Sequence, residues 1–154
     1  MIARLGELLR HTIDSRGAAT VPLREELEFL QRYIEIMEIR FQGRLRVATN
    51  IDPNALDVPV PSLILQPIIE NALEHGASRA AGEGRIEIDA HRDGGRVVIS
   101  VRDNGPGVRE ESAGVGVSNT RARLAQLYGG EASLTLTSAP SGGAIATITI
   151  PTHG

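Results

Sequence analysis

The sequence predicts an α+β protein: a two-layer α/β sandwich in which a mixed, mostly antiparallel sheet is covered by helices, with further helices at the N-terminal end. Three observations lead there. Up to about residue 42 the apolar residues recur at three- and four-residue steps, the helical period. From residue 43 the pattern changes to short alternating runs bounded by glycine and proline, the strand period. Two helical stretches, residues 62–76 and 117–129, interrupt those runs. Helices set among hairpin-linked strands form one layer over an antiparallel sheet.

The elements follow in order. Residues 1–16 carry Ile2, Leu5, Leu9 and Ile13 on one helical face, and Gly17 ends that helix. Thr20 and Pro22 read as the start of a long helix over residues 22–42, with Glu25 and Glu26 in its first turn, where acids suit the macrodipole. Leu23, Leu27, Leu30, Ile34, Met37 and Phe41 form a heptad seam, widened by Phe29, Tyr33 and Ile36. That seam has two readings, packing on its own domain or a dimer contact. Gly43 closes the helix. Residues 45–51 alternate as a strand, 53–61 form a loop, and 62–76 are helical and largely apolar. Strands over 85–91 and 96–102 flank an Asp93-Gly94-Gly95 turn, the chemistry of a tight hairpin. A glycine-rich loop spans 103–116, a helix 117–129 ends at Gly129-Gly130, and strands 133–138 and 144–150 finish the chain.

Composition narrows the function classes. The 154 residues are 41% hydrophobic and 23% charged, ordinary for one globular domain with one core. There is no apolar run of membrane-spanning length and no signal-peptide pattern. Cysteine is absent, which excludes disulfides, thiolate metal sites and a cysteine nucleophile. Aromatic residues are 3% and the net charge is −3, which argues against nucleic acid as a partner. All 16 basic residues are arginine, so chemistry that needs a lysine is excluded.

Three segments could carry chemistry. In Pro61-Ser-Leu-Ile-Leu-Gln-Pro-Ile-Ile-Glu-Asn-Ala-Leu-Glu-His-Gly76, helical spacing puts Asn71 and His75 on one face and Glu70 and Glu74 on the next. Asn and Glu oxygens suit Mg²⁺, which needs only one or two protein ligands beside phosphates; the alternative is a helix with one wet face. Asp103-Asn-Gly-Pro-Gly107 sets a carboxylate at a strand end followed by glycines, either an ordinary turn or a ligand contact. Gly114-Val-Gly116 opens into a helix bearing Arg121 and Arg123, and a helix start with free N–H groups suits phosphate, although a lone pair of glycines is a weak sign.

The order of these segments strongly resembles the Bergerat-fold (GHKL) ATP-binding domain shared by sensor histidine kinases, Hsp90-type chaperones, MutL-type repair proteins and type II topoisomerases. Glu70-Asn71 is similar to the N box, Asp103-Asn-Gly-Pro-Gly107 to the G1 box, Gly114-Val-Gly116 to the G2 box, and Gly142-Gly143 through Thr147 to the last glycine box and its strand. Leu8-Leu-Arg10, the run from Leu23 to Tyr33, Glu38-Ile-Arg-Phe41, Leu65 to Ala72, His75-Gly76, Ser118 to Leu124 and Tyr128-Gly129 narrow the resemblance to LytS-type sensor histidine kinases.

The resemblance implies ATP and Mg²⁺ as cofactors. It implies that Asn71 holds Mg²⁺ against the phosphates and that Asp103 accepts from the adenine amino group. Thr147 is then nearby, and Gly105 and Gly107 shape the pocket. It implies Gly114 and Gly116 at a lid hinge, with Asn119, Arg121, Arg123 and His75 near the phosphates. Glu70 would orient the metal shell or the acceptor. Many relatives carry Lys or Arg where Glu74 stands, and a threonine where Ala144 stands. The hydrolytic relatives carry a water-activating Glu four residues before the N-box Asn, where this chain has Pro67, which cannot act as a base.

A histidine kinase also needs an acceptor imidazole in line with the γ-phosphate. None of His11, His75, His91 and His153 lies in the acceptor pattern of LytS-type kinases, so the acceptor is expected on a segment absent from this chain. Residues 1–42 are then expected to be the end of the dimerisation and phosphoacceptor region with its connecting helix, and 43–154 the catalytic domain. The implied partners are the acceptor helix, a response regulator and a second copy through the N-terminal helices. The implied setting is cytoplasmic, with membrane anchoring of the parent protein left open. The alternatives are a degenerate nucleotide-binding regulatory module and a GHKL-type ATPase.

Overall fold

The computed structural model describes residues 20–107 and 115–152. The expected helix over 1–16, and His11, Gly114 and His153, lie outside those residues. The long helix is present as α1, Leu23–Arg40. Its buried residues are Leu23, Glu26, Leu30, Tyr33, Ile34 and Met37. Their apolar members share one hydrophobic cluster with the sheet, and Leu27 and Phe41 pack at its margin. Of the two readings of the seam, the one realised here is packing on its own domain. Beyond Arg40 the chain closes with Gln42 N–H donating to the Ile39 carbonyl and Gly43 N–H to the Glu38 carbonyl. The left-handed residue of this closure is Gln42 (φ +55) as well as Gly43 (φ +80), so glycine alone does not end the helix.

Ahead of α1 the structure differs from expectation. Thr20–Pro22 is a short strand, β1, paired antiparallel with β3, Pro59–Pro61, inside the segment expected to be loop. Val21 and Val60 face each other across this pair and both are buried. Strands of three residues are too short to show a period, and their prolines are tolerated because the pair has only edges.

The main sheet has the order β2-β4-β5-β7-β6, from β2 (Leu45–Ile51), β4 (Gly84–Asp93), β5 (Arg96–Asp103), β6 (Ser133–Ser138) and β7 (Ala144–Pro151). Only β2 and β4 run parallel, so the sheet is mixed and mostly antiparallel, as expected. A parallel neighbour needs a crossover, and this one contains α2, Gln66–Asn71. The β4–β5 connection is the expected tight turn, with Gly94 at φ +60. Alternation puts Ile86, Ile88, Ala90, Val97, Ile99, Val101, Ala146, Ile148 and Ile150 on the buried face. The last helix, α3, spans Val115–Tyr128 and buries Val117, Thr120 and Leu124.

Candidate nucleotide site

Asp103 closes β5 on the same face as Val97, Ile99 and Val101, so strand alternation drives a carboxyl group into the buried layer. It is only 7% exposed. Its Oδ1 accepts from Gly105 N–H at 2.9 Å and from Ala144 N–H at 3.3 Å. Burial pushes its pKa up from the ordinary carboxylate value, and the two amide bonds pull it back down. Three glycines let loops converge on it. A Cβ on Gly76 would overlap Asp103 Cγ, one on Gly105 would lie 2.5 Å from the Gly76 Cα, and one on Gly143 would overlap the Asp103 carbonyl oxygen. No side chain fits at those separations. Asn104 fastens the same corner from the other side: its Oδ1 accepts from Arg85 N–H and its Nδ2 donates to the Glu83 carbonyl, each at 2.8 Å. Gly107 (φ +101) sits beside Ser138.

The helix beneath this corner differs from a continuous helix over 62–76. Residues 62–65 form a turn in which Leu63 adopts φ +59, a left-handed conformation that costs roughly 1–2 kcal/mol for a residue with a Cβ. The α-helical ladder then runs from Gln66 to Asn71 only. Ala72–Gly76 is a π-helical turn, and Ala77 N–H reaches back to the carbonyls of Ala72 and Leu73. A four-residue step falls slightly short of a full turn in this wider geometry, where in an α-helix it slightly overshoots, so Asn71 and His75 keep roughly the expected shared face. The π-turn ends on Gly76, against Asp103.

Asn71, Glu70 and His75 are half-buried and Glu74 is exposed. Among the described residues, the buried side-chain polar atoms without a hydrogen-bond partner are His75 Nδ1 and Gln66 Oε1, and both belong to this segment. Such atoms cost about 1–3 kcal/mol each and concentrate where a ligand completes the set. Glu70 and Glu74 also lie within electrostatic range of Tyr33 on α1. Burial first, and then Glu70, push the Tyr33 pKa up to about 12, with Glu74 adding and Arg40 opposing.

On α3, a Cβ at Gly116 would be 3.5 Å from Pro67 Cβ, so the start of α3 abuts the first turn of α2. Asn119 is exposed. Arg121 is turned to the sheet, its Nε donating to the Leu134 carbonyl at 3.1 Å. Arg123 is half-buried; burial lowers its pKa and the nearby Glu26 carboxylate raises it. The two arginines expected at phosphate are therefore engaged toward β6 and α1. Thr147 needs a correction. It pairs with Ser100 and Thr135 across the sheet. Its neighbours Ala146 and Ile148 are the buried ones. A period of two puts Thr147 on the opposite sheet face from Asp103.

The structure thus gathers Asp103, Gly105 and Gly76 at one corner, with Asn71 one π-turn away along the chain. It separates Thr147 from them. The sequence motifs place Gly143 in the last glycine box, with Ala144 beside it, and give neither a site role; the β5–β7 pairing brings both to Asp103. The residue that motif reading missed is Glu26. Glu26 did leave a signal: it lies three residues after Leu23 and four before Leu30, so it occupies a core-facing position of the seam.

A carboxyl at a strand end, ringed by glycine contacts and facing an interrupted helix under a mixed sheet, defines a nucleotide-binding catalytic domain of the GHKL class. The chain belongs to the histidine kinase-, DNA gyrase B- and HSP90-like ATPase family, whose model matches residues 57–154, and a histidine kinase model matches residues 1–45. Among curated proteins it is similar to sensor protein LytS of Oceanobacillus iheyensis, 30% identical over 87% of this chain and 26% of the relative. It is also similar to sensor histidine kinase YesM of Bacillus subtilis, 33% identical over 98% of this chain and 27% of the relative. The chain spans about a quarter of the length of these relatives. Among solved structures it resembles the histidine kinase domain of the blue-light activated kinase from Erythrobacter litoralis EL346 (TM-score 0.65, 26% identity, 94% of this chain and 70% of that one). The fold of the histidine kinase ThkA catalytic domain also matches (TM-score 0.68, 20% identity, 86% of this chain and 96% of that one). Residues 57–154 are therefore an ATP-binding domain of this family, alike in fold to the catalytic domains of histidine kinases. No helix among the described residues is long and apolar enough to cross a membrane.

Proposed function

We propose that this domain binds Mg-ATP at the Asp103 corner and passes the γ-phosphate to a histidine on a phosphoacceptor segment, from which a response regulator receives it. The observation that carries this reading is the state of the Asp103 carboxyl. Two backbone amides hold Oδ1, neither of them falls on Oδ2, and Gly76 and Gly105 close around the group. An acceptor oxygen fixed in this way fits the amino group of adenine. The orphaned Gln66 Oε1 and His75 Nδ1 fit a segment whose partners arrive with a ligand.

Asn71 offers one amide oxygen for Mg²⁺. No group of three or more His, Cys, Asp or Glu able to hold a metal occurs among the described residues. A cation held largely by phosphates and water fits that set. When bound, Mg-ATP supplies the transferable phosphoryl group and the cation that screens it. The chain orients it: Asp103 at the base, Asn71 and Glu70 at the metal side, Gly116 and Asn119 at the start of α3. Neither described histidine fits the acceptor role. His75 has its Nδ1 buried, and His91 pairs with Val98 toward the opposite end of the β4–β5 ladder from Asp103. The acceptor is therefore supplied from outside residues 20–152, and a homodimer through the N-terminal helices would bring it.

Two further readings have their own observations. Pro67 stands where an ATPase of this class needs its base, and it packs on Gly116, which disfavours hydrolysis. Glu74, exposed where relatives carry a cation, favours a nucleotide sensor with weak transfer. Calorimetry with a non-hydrolysable Mg-ATP analogue tests the site. Radiolabelled ATP with a separate acceptor segment tests transfer. Binding without labelling supports the sensor, and steady phosphate release supports the ATPase.

A further inference from the structure

Glu26 is 4% exposed, yet none of the chemistry above uses it. A leucine there would continue the apolar seam, and a buried carboxylate needs compensation. The compensation is specific. Glu26 Oε2 accepts from Leu63 N–H at 2.8 Å and Oε1 from Leu65 N–H at 3.3 Å, and the Ile64 amide contributes to the same carboxylate. These amides belong to the turn that leads into α2, and Leu63 is its left-handed residue. The same segment is tied to α1 from its other end, since Leu23 and Arg24 N–H donate to the carbonyls of Val58 and Leu56.

Glu26 also lies within electrostatic range of Arg123 on α3, and Gly116 in the first turn of α3 lies against Pro67 of α2. One carboxylate therefore ties α1 to the approach to α2 by hydrogen bonds. Asn71 is the last residue of the six-residue α2. The turn at 63–65 leads directly into this helix, and the π-turn that continues it ends on Gly76 against Asp103, so the turn is one of the two anchors of Asn71.

We propose that Glu26 is a positioning residue for the nucleotide site, holding the 63–65 turn by hydrogen bonds so that the seating of α1 and the placement of Asn71 are coupled. This rests on the reading of the site as one for Mg-ATP. Coupling of this kind is reciprocal, so bound nucleotide must in turn tighten the Glu26 clamp.

The test uses the whole chain and a non-hydrolysable Mg-ATP analogue. Glu26→Gln keeps the size and one acceptor oxygen but loses the charge. It is expected to weaken analogue binding at least fivefold. Val97→Ala, a buried truncation at the far end of β5, serves as a control that lowers thermal stability and keeps wild-type affinity. A second measurement needs no variant: amide exchange at Leu63 and Leu65 in the wild-type chain is expected to slow at least threefold on analogue binding. Affinity of Glu26→Gln within twofold of wild type, or exchange at Leu63 and Leu65 indifferent to the analogue, overturns the proposal. Failure of the wild-type chain to bind the analogue overturns the reading of the site itself.

Discussion

Gly76 and Asp103 are in backbone-to-carboxyl contact: a methyl group added at Gly76 would overlap Asp103 Cγ and lie 2.5 Å from each carboxylate oxygen. A π-helical turn delivers the one residue and a strand end the other, from segments well separated in sequence. Gly76→Ala must therefore displace the carboxyl or the turn. It is expected to reduce Mg-ATP analogue affinity more than tenfold, by calorimetry, and to lower the melting temperature. Unchanged affinity in a folded Gly76→Ala protein would separate Asp103 from the site.

Asp103→Asn and Asn71→Asp are each expected to weaken Mg-ATP binding at least tenfold, which is about 1.4 kcal/mol. The two differ in stability. The Asp103 carboxyl has a raised pKa in the folded state because it is buried. It holds its proton more tightly folded than unfolded. Its contribution is therefore favourable below the unfolded pKa and is lost as pH rises through the folded one. At neutral pH the ionised group costs stability. The neutral amide of the variant would keep an oxygen for the Gly105 and Ala144 N–H groups without that cost. Asp103→Asn is thus expected to melt no lower than wild type at neutral pH, with its advantage shrinking in acid, as thermal melts across pH would show.

Glu74→Lys places a cation where relatives carry one. Analogue affinity is expected to rise several-fold, and the gain to fall with added salt because the site is exposed. The Tyr33 pKa, about 12 with Glu74 among its causes, is expected to fall in the same variant. Ultraviolet titration of the tyrosines reads that change independently of nucleotide.

Thr147→Val is expected to leave analogue affinity within twofold, because Thr147 shares its sheet face with Ser100 and Thr135 rather than with Asp103. A tenfold loss in calorimetry would mean that the nucleotide reaches that face.

Gln42→Gly relieves a left-handed non-glycine residue at the end of α1. A gain of about 0.5–1 kcal/mol in denaturant unfolding is expected. No gain would mean that a Gln42 side-chain contact offsets the backbone cost.

The helix of residues 23–40 and the five strands of the main sheet were legible because each is long enough to show a period of 3.6 or 2. The 20–22 and 59–61 pair was not, since three residues show no period and both strands carry proline. The ordered boxes made the family legible and pointed at Asp103, Asn71 and the glycines. Thr147 was misplaced because motif order says which residues are near in sequence, while strand parity decides the face.

The sequence alone determined the class of domain, through the resemblance of its ordered boxes to a known family. It also determined most of the strand and helix pattern and the absence of lysine and cysteine chemistry, which follow from local periods and residue types. Only the tertiary structure decided that Gly143 and Ala144 meet Asp103, that the helix widens after Asn71, and that Glu26 supports the turn ahead of it. Each of these depends on segments far apart in the chain, where a contact follows from how the layers pack and no local pattern records it.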